Sequence, residues 1–594
     1  MCGIAGFFDP KSGVPSEVRL NLNRMVQSLR HRGPDDEGSW VDGDAGIALG
    51  FRRLSIQDLS PSGHQPMLSS CGRYVLISNG EIYNFQTLRR ELEGRGCALR
   101  GHCDTEVMLE TISQRGLSAA LDAFEGMFAF ALWDRQEREL HLCRDRIGEK
   151  PLYFGWSGGV FLFGSELKAL TQHPRFEACV DRSVLALYLR YGYVPAPYSI
   201  YRAIYKVMPG SVMTLAAGKG RSEPVARVYW SCKETAERGL AEPFRGSPED
   251  AIERLEELLQ ASVKLRMQAD VPVGAFLSGG YDSSTLVSLM RRATGGPIKT
   301  FTLGFEENDE VPYAREIARH LDTEHTDARI SAADALSLIP QIPRIYDEPF
   351  SDSSQIPTFL ISKLARNSVS VILTGDGGDE LFCGYERYDS AQYPGADEAA
   401  RLAAYRRDVD LWQDPARLLP GEIEPGFPVT RPDCWLRTSE LSNQLMYFDL
   451  ISYLPDDLLV KLDRAAMAVS LETRVPFLDR AIMDFAWRLP LAMKVRQGRR
   501  KWVLREVLHR YVPPAMVDRP KQGFSIPLMK WLTGPLRDWA ESLLDESRLR
   551  RDGYFEPEPI LKGWQEIATG RHRLKHGMWT VLMFQAWLDE RAGL

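Results

Sequence analysis

The residues of this chain with chemistry to offer are a cysteine at position two, three polar segments within the next hundred residues, and two glycine loops rich in carboxylates. Cys2 follows Met1, and its small side chain lets an aminopeptidase remove the methionine, leaving a thiol and a free α-amine on one residue. An α-amine has a reference pKa of about 8, so its neutral form can take the thiol proton. A lone cysteine here is more often inert. Arg53-Leu54-Ser55-Ile56, Asn79-Gly80-Glu81-Ile82-Tyr83-Asn84 and Asp104-Thr105-Glu106 give it company. The Asn79 amide and the Gly80 N–H, expected directly after a strand, can form an oxyanion hole, because glycine lets the backbone approach a tetrahedral intermediate. Arg53 can hold a carboxylate bidentately, and a carboxylate such as Glu81 can hold an ammonium. Taken singly, Asn-Gly is a common tight turn and Arg53 a common surface ion pair.

The first glycine loop, Leu277-Ser278-Gly279-Gly280-Tyr281-Asp282-Ser283-Ser284, follows the apolar run 273–277 and leads into a helical pattern with Leu286, Val287, Leu289 and Met290. Strand, loop and helix make a phosphate cradle, with backbone N–H groups and serine hydroxyls as donors. Asp282 would repel phosphate unless a cation lies between them, which points to Mg²⁺. The second loop, Thr374-Gly375-Asp376-Gly377-Gly378-Asp379-Glu380, ends another apolar run, and Asp379 would be a second metal ligand. Two such loops at strand ends suggest one cleft.

These residues need a scaffold larger than one core, and 594 residues exceed the size at which a single core stops growing. Residues 1–210 carry short alternating or apolar runs (45–56, 74–78, 127–133, 139–143, 160–164) that predict antiparallel sheets, with a helix bearing Val18, Leu22, Met25, Val26 and Leu29 on one face. The texture turns to Pro, Gly and charge over 211–250, which reads as a linker. Residues 251–594 predict an α/β domain with a parallel sheet and extensive C-terminal helices. The composition, 44% hydrophobic and 26% charged, is that of an ordinary globular protein, and a net charge of −7 gives no reason to expect nucleic acid or an anionic membrane as partner. Small-molecule substrates fit better. No apolar run reaches membrane-spanning length and no secretory leader is apparent, so the cytoplasm is the expected location. Nine cysteines without a CxxC pair read as reduced thiols.

Cys2-Gly3-Ile4-Ala5-Gly6, His31-Arg32-Gly33-Pro34-Asp35, Arg53-Leu54-Ser55-Ile56, Asn79-Gly80-Glu81-Ile82-Tyr83-Asn84 and Arg144-Asp145-Arg146-Ile147-Gly148 resemble the class II glutaminase domain of glutamine-hydrolysing asparagine synthetases. The resemblance implies a four-layer αββα sandwich of the N-terminal nucleophile type. It makes Cys2 the nucleophile, Asn79 and Gly80 the oxyanion hole, and Arg53, Asn79, Glu81 and Asp104 the glutamine-binding groups.

The two glycine loops, with Asp347-Glu348-Pro349-Phe350, Arg474-Val475-Pro476-Phe477-Leu478-Asp479 and Lys521-Gln522-Gly523-Phe524, resemble the ATP-pyrophosphatase signature of the same family's synthetase domain. It implies ATP held by Leu277, Ser278, Gly279, Gly280, Asp282, Ser283, Thr374 and Gly375, with Mg²⁺ on Asp282 and Asp379. Lys501, matched through Arg500-Lys501-Trp502-Val503-Leu504-Arg505, would steady charge developing at phosphate. Asp376, where some relatives carry Glu, would assist proton transfer. The implied reaction makes asparagine from aspartate, glutamine and ATP through a β-aspartyl-AMP, releasing AMP, pyrophosphate and glutamate. A different acceptor, such as a uronic acid in cell-surface polysaccharide assembly, stays open, as do a homodimer and the role of Tyr281.

Overall fold

The computed structural model describes residues 2–11, 15–218, 220–305, 310–395, 398–518, 526–569 and 575–592. Its N-terminal strands are β1 (Gly3–Phe8), β2 (Asp36–Asp42), β3 (Ile47–Arg53), β4 (Met67–Leu68), β5 (Tyr74–Ile82), β6 (Gly126–Asp134), β7 (Glu139–Arg144), β8 (Tyr153–Ser157), β9 (Val160–Gly164), β10 (Ile204–Lys206), β11 (Ser211–Ala216) and β12 (Val225–Val228). They pair antiparallel into two six-stranded sheets, ordered β10-β8-β9-β1-β3-β2 and β12-β11-β7-β6-β5-β4.

Alternation decides what each face does. Ile4, Phe8, Leu49 and Phe51 of the first sheet meet Val75, Ile77, Ala129, Ala131 and Trp133 of the second in a dry layer between them. The opposite face of the second sheet, with Leu76, Phe128, Phe130 and Leu132, is covered by the helices Phe85–Gly94, Asp104–Arg115 and Leu117–Ala123. Leu22, Met25 and Val26 of the helix Pro15–Gln27 cover the outer face of the first sheet with Val184, Leu185 and Tyr188 of Arg182–Tyr191. Helix, sheet, sheet, helix is the αββα sandwich.

Two local expectations change. Asn79 and Gly80 lie inside β5, opposite Ala129 and Phe128 of β6, rather than after a strand. Gly80 has φ +150°, and a Cβ there would stand 2.0 Å from the Met127 carbonyl oxygen, so the strand passes this point only as glycine. The expected linker 211–250 is also too long: β11 pairs with β7, and β12 with β11, so residues 211–228 extend the second sheet. Their Pro and Gly content belongs to an edge hairpin.

The second domain opens with the helix Pro248–Arg266, whose start is fixed by a reciprocal Ser247–Asp250 capping box and by proline in its first turn. Its strands β13 (Val273–Phe276), β14 (Lys299–Phe305), β15 (Glu324–Ile330), β16 (Val371–Leu373) and β17 (Glu472–Arg474) form a parallel sheet ordered β15-β14-β13-β16-β17. β13 and β16 are neighbours in register, Ala275 opposite Leu373, so both glycine loops leave the same carboxyl edge side by side. Helices down to Lys575–Ala592 complete the domain, and Trp579 and Phe584 continue the core that lies under the first sheet. Among the described residues no helix is long and apolar enough to cross a membrane.

Candidate functional site

β1 begins at Gly3, which places Cys2 at the mouth of the first sheet, buried with only 8% of its surface exposed. Its backbone N–H donates to Asn79 Oδ1 at 2.9 Å, and its carbonyl accepts from Arg32 Nε at 3.0 Å. The Asn79 amide therefore faces the residue it was expected to serve, and its Nδ2, buried, has no hydrogen-bond partner in the protein. A buried donor left open is costly unless a ligand completes it. Burial first, and then the carboxylates of Glu472 and Glu81, pushes the Cys2 thiol up to about 11. The thiol is thus protonated at neutral pH and needs a base to react.

Glu81 and Asp104 approach from the other side. Asp104 Oδ2 accepts from the Ile82 N–H at 2.8 Å, while Glu81 Oε2 is buried and unpartnered. Burial and mutual repulsion push the Glu81 carboxyl well up, and burial raises Asp104 too, so the pair is short of positive charge. That is a site for an ammonium group. Arg53 is anchored by the turn after β3: Nη1 donates to Ser60 O at 2.9 Å, and Nη2 to the carbonyls of Gln57 and Asp58. Gly63 makes room for it, since a Cβ there would lie 1.9 Å from Nη2. A fixed cation, a bare amide donor and two acids around a thiol complement an α-amino acid with a side-chain amide.

In the second domain Ser278 Oγ and Ser283 Oγ are 3.0 Å apart and the Gly280 N–H donates to Ser278 Oγ at 3.3 Å, so the serines brace the loop itself. Glycine brings the loops together: a Cβ on Gly375 would be 2.9 Å from Asp282 Cβ, and one on Gly378 2.6 Å from Asp282 Oδ1. Lys501, at the start of the helix Trp502–His509 with φ +54°, reaches between them, its Nζ 2.5 Å from Asp282 Oδ2 and 2.7 Å from Asp379 Oδ1. Burial works against its charge, but the two acids outweigh that and raise the ammonium above its ordinary value. Burial also pushes the Asp376 carboxyl up, against pulls from Thr374 and Lys461. Among the described residues no group of three or more His, Cys, Asp and Glu could hold a metal. Asp282 and Asp379 nonetheless fit a divalent cation in part: they converge from two loops on one point that already attracts positive charge.

The structure therefore brings Cys2, Asn79, Gly80, Glu81 and Asp104 together in one place, with Arg53 at the end of β3 held by the turn that follows, and Leu277 to Ser283, Thr374 to Asp379 and Lys501 in another. Tyr281 packs half-buried against the second domain's core; its hydroxyl accepts from Arg505 Nη1 at 2.8 Å and its ring lies under that guanidinium. Lys521, Gln522, Gly523 and Phe524 lie outside the described residues. Asp347 and Glu348, from a motif read with the ATP signature, face the first domain instead: Asp347 pairs with Lys168 at 3.1 Å and Glu348 with Lys206 at 2.7 Å. Sequence reasoning gave no role to Arg32 or Arg474, although both sit inside quoted motifs. Arg32 binds Asp463 of the second domain through two bonds of 2.7 and 2.9 Å.

An N-terminal thiol in a four-layer sandwich, joined to a parallel sheet with paired glycine loops, defines a two-domain amidotransferase. Residues 1–230 match the glutamine amidotransferase domain and residues 254–589 match asparagine synthase. The chain belongs to the family of glutamine-hydrolysing asparagine synthetases. It is 31% identical to the glutamine-hydrolysing asparagine synthetase 1 of Bacillus subtilis (strain 168), over 99% of this chain and 96% of that one. A putative glutamine-hydrolysing asparagine synthetase of Mycobacterium bovis is 32% identical over 99% and 97%.

Proposed function

We propose that the protein makes asparagine from aspartate, hydrolysing glutamine at Cys2 and consuming ATP between the two glycine loops. The observation that carries this reading is the Asn79 amide, tied to the Cys2 N–H by its oxygen and left with an open buried nitrogen. Once Met1 is removed, the Cys2 amine takes the thiol proton and the thiolate attacks the glutamine side-chain carbonyl. Asn79 Nδ2 and the Gly80 N–H stabilise the oxyanion; collapse expels ammonia, and water then releases glutamate from the thioester. Glu81 and Asp104 hold the glutamine ammonium, and Arg53 its carboxylate.

In the second domain the aspartate β-carboxylate attacks the α-phosphate of ATP, forming β-aspartyl-AMP and expelling pyrophosphate. The loops Leu277 to Ser283 and Thr374 to Gly375 hold the phosphates, with the Gly279 and Gly375 N–H groups as donors because those of Ser278, Gly280 and Thr374 already donate within the protein, and Lys501 offsets the charge that develops. Asp282 and Asp379 would hold Mg²⁺, which supplies charge neutralisation to the triphosphate when bound. Ammonia displaces AMP to give the amide, and Asp376, its carboxyl kept up by burial, is placed to exchange the proton this releases. Free ammonia would be protonated and lost in water, so direct passage between domains favours one chain with both sites.

The test is Cys2→Ala. Glutamine-dependent asparagine formation should vanish while formation from added ammonium, with AMP and pyrophosphate, continues. Loss of both activities, or pyrophosphate release only with an acid other than aspartate, would overturn the reading.

A further inference from the structure

We infer that Arg474, a residue of the second domain, is a positioning residue for glutamine: its guanidinium sets the Glu81 carboxylate of the first domain while its main chain is pinned to the second glycine loop. The inference rests on the proposed glutaminase reading. Arg474 ends β17 and is fully buried. Its Nε donates to Glu472 Oε1 at 2.7 Å, and its Nη1 to the carbonyls of Arg266 and Gln268 at 2.9 and 2.6 Å. Only Nη2 is left, 3.6 Å from Glu81 Oε1, and it has no hydrogen bond of its own. Three of the four features that fix this guanidinium belong to its own domain, so it enters the first domain's pocket as a rigid probe.

The pocket needs it on charge grounds. Glu81, Asp104 and Glu472 are all buried around one point, with Tyr83 lying under the Arg474 and Arg266 guanidiniums at 5.6 and 4.5 Å. Without Arg474 the acidic cluster would be shorter still of positive charge, and Glu81 would hold an ammonium less well. Arg474 lowers the Glu81 carboxyl against burial and its two acidic neighbours, which otherwise raise it.

The same residue reaches both ends of the pocket and the other active site. Gln268, whose carbonyl it holds, also accepts from Gln57 Nε2 at 3.4 Å, and Asp270 takes the Asp58 N–H at 2.8 Å. The turn at 57–60 is the one whose carbonyls anchor Arg53. In the opposite direction the Arg474 carbonyl accepts the Thr374 N–H at 3.0 Å, the first residue of the second glycine loop. The glutamine pocket is therefore complete only against a docked second domain.

The experiment uses the full chain and its R474M and R474K variants, measuring glutamate release against glutamine concentration and amide formation from ammonium. R474M should raise the KM for glutamine roughly ten- to a hundredfold, the range for one weakened charged hydrogen bond between Glu81 and the glutamine ammonium, with ammonium-supported synthesis falling much less than glutamine-dependent synthesis. R474K should recover part of that KM. An unchanged KM, or an ammonium-supported rate that falls in step, would overturn the inference. Should R474M fail to fold, R474K is compared with and without Glu81→Gln: the KM effect of the lysine should disappear in the E81Q background, and full additivity would count against a route through Glu81. A wild-type protein that hydrolyses no glutamine would instead overturn the underlying reading.

Discussion

At the scale of single residues, two of the buried atoms left unsatisfied fall at the proposed glutamine site. Asn79 Nδ2 and Glu81 Oε2, two positions apart in β5, are both buried and unpartnered, an open donor and an open acceptor. A folded chain tolerates such atoms where a ligand repays the cost. Asn79→Ala removes the donor aimed at the oxyanion, so kcat for glutamate release should fall roughly a hundred- to a thousandfold. KM for glutamine and ammonium-supported synthesis should change little, because the amide acts in the transition state. A steady-state comparison of the two nitrogen sources checks this; a rise in KM alone would make Asn79 a binding group. The thiol bears on the same point. Burial holds Cys2 up to about 11, so its reactivity depends on the base beside it, and N-terminal sequencing should find cysteine first in active protein.

At the scale of elements, the loops work by close approach. Gly384 lies just past the second glycine loop, and a Cβ there would sit 2.0 Å from Asp379 Oδ1 and 2.2 Å from Lys501 Cε. Gly384→Ala should therefore push the lysine from between its acids and cut pyrophosphate release roughly a hundredfold, the cost of misplacing a reacting group by about 1 Å. Glutamate release by the same variant should persist, and loss of both would mean that the fold, not the loop, had failed. Gly384 itself was not legible as critical, whereas much around it was. Strands at 139–143 and 160–164, the helix bearing Leu22, Met25 and Val26 and the pairing of two loops at strand ends are all visible in alternation and glycine placement, because they depend on local periodicity. Asn79-Gly80 misled in one respect: the pair looks like a turn, but the cross-strand neighbour Met127 decides that it stays in β5. Likewise the composition of 211–228 reads as a linker, and only the long-range pairing of β11 with β7, and of β12 with β11, makes it sheet.

At the scale of the whole molecule, the seam between domains is built from charge, and no local pattern could announce it. Arg32 donates to Cys2 O, to Glu166 Oε1 at 2.7 Å and to Asp463 in the second domain; Arg464 answers with 2.8 Å to Glu166, and Lys168 bridges Glu166 and Asp347 at 3.0 and 3.1 Å. Partners such as Arg32 and Asp463 are 431 residues apart in sequence. Removing one member of a buried pair leaves the other uncompensated, at a cost of about 3–5 kcal/mol. Asp463→Ala should lose about that much stability to denaturant and, by loosening Arg32, lower glutamate release more than ammonium-supported synthesis. The pH dependence has a definite sign. Burial opposes both charges, but Lys168, Arg464, His31 and Arg32 hold the Glu166 carboxyl well below its usual 4.5, and Arg32 holds Asp463 below its usual 3.8. Acids depressed in the fold stabilise it fully above those unfolded values and lose the contribution as pH falls through the folded ones. The stability gap between wild type and Asp463→Ala should therefore be constant from neutral pH down to about 5 and close below 3.8. Equilibrium unfolding of both proteins across that range is the measurement, and a gap that widened on acidification would show that the seam is not held by these pairs.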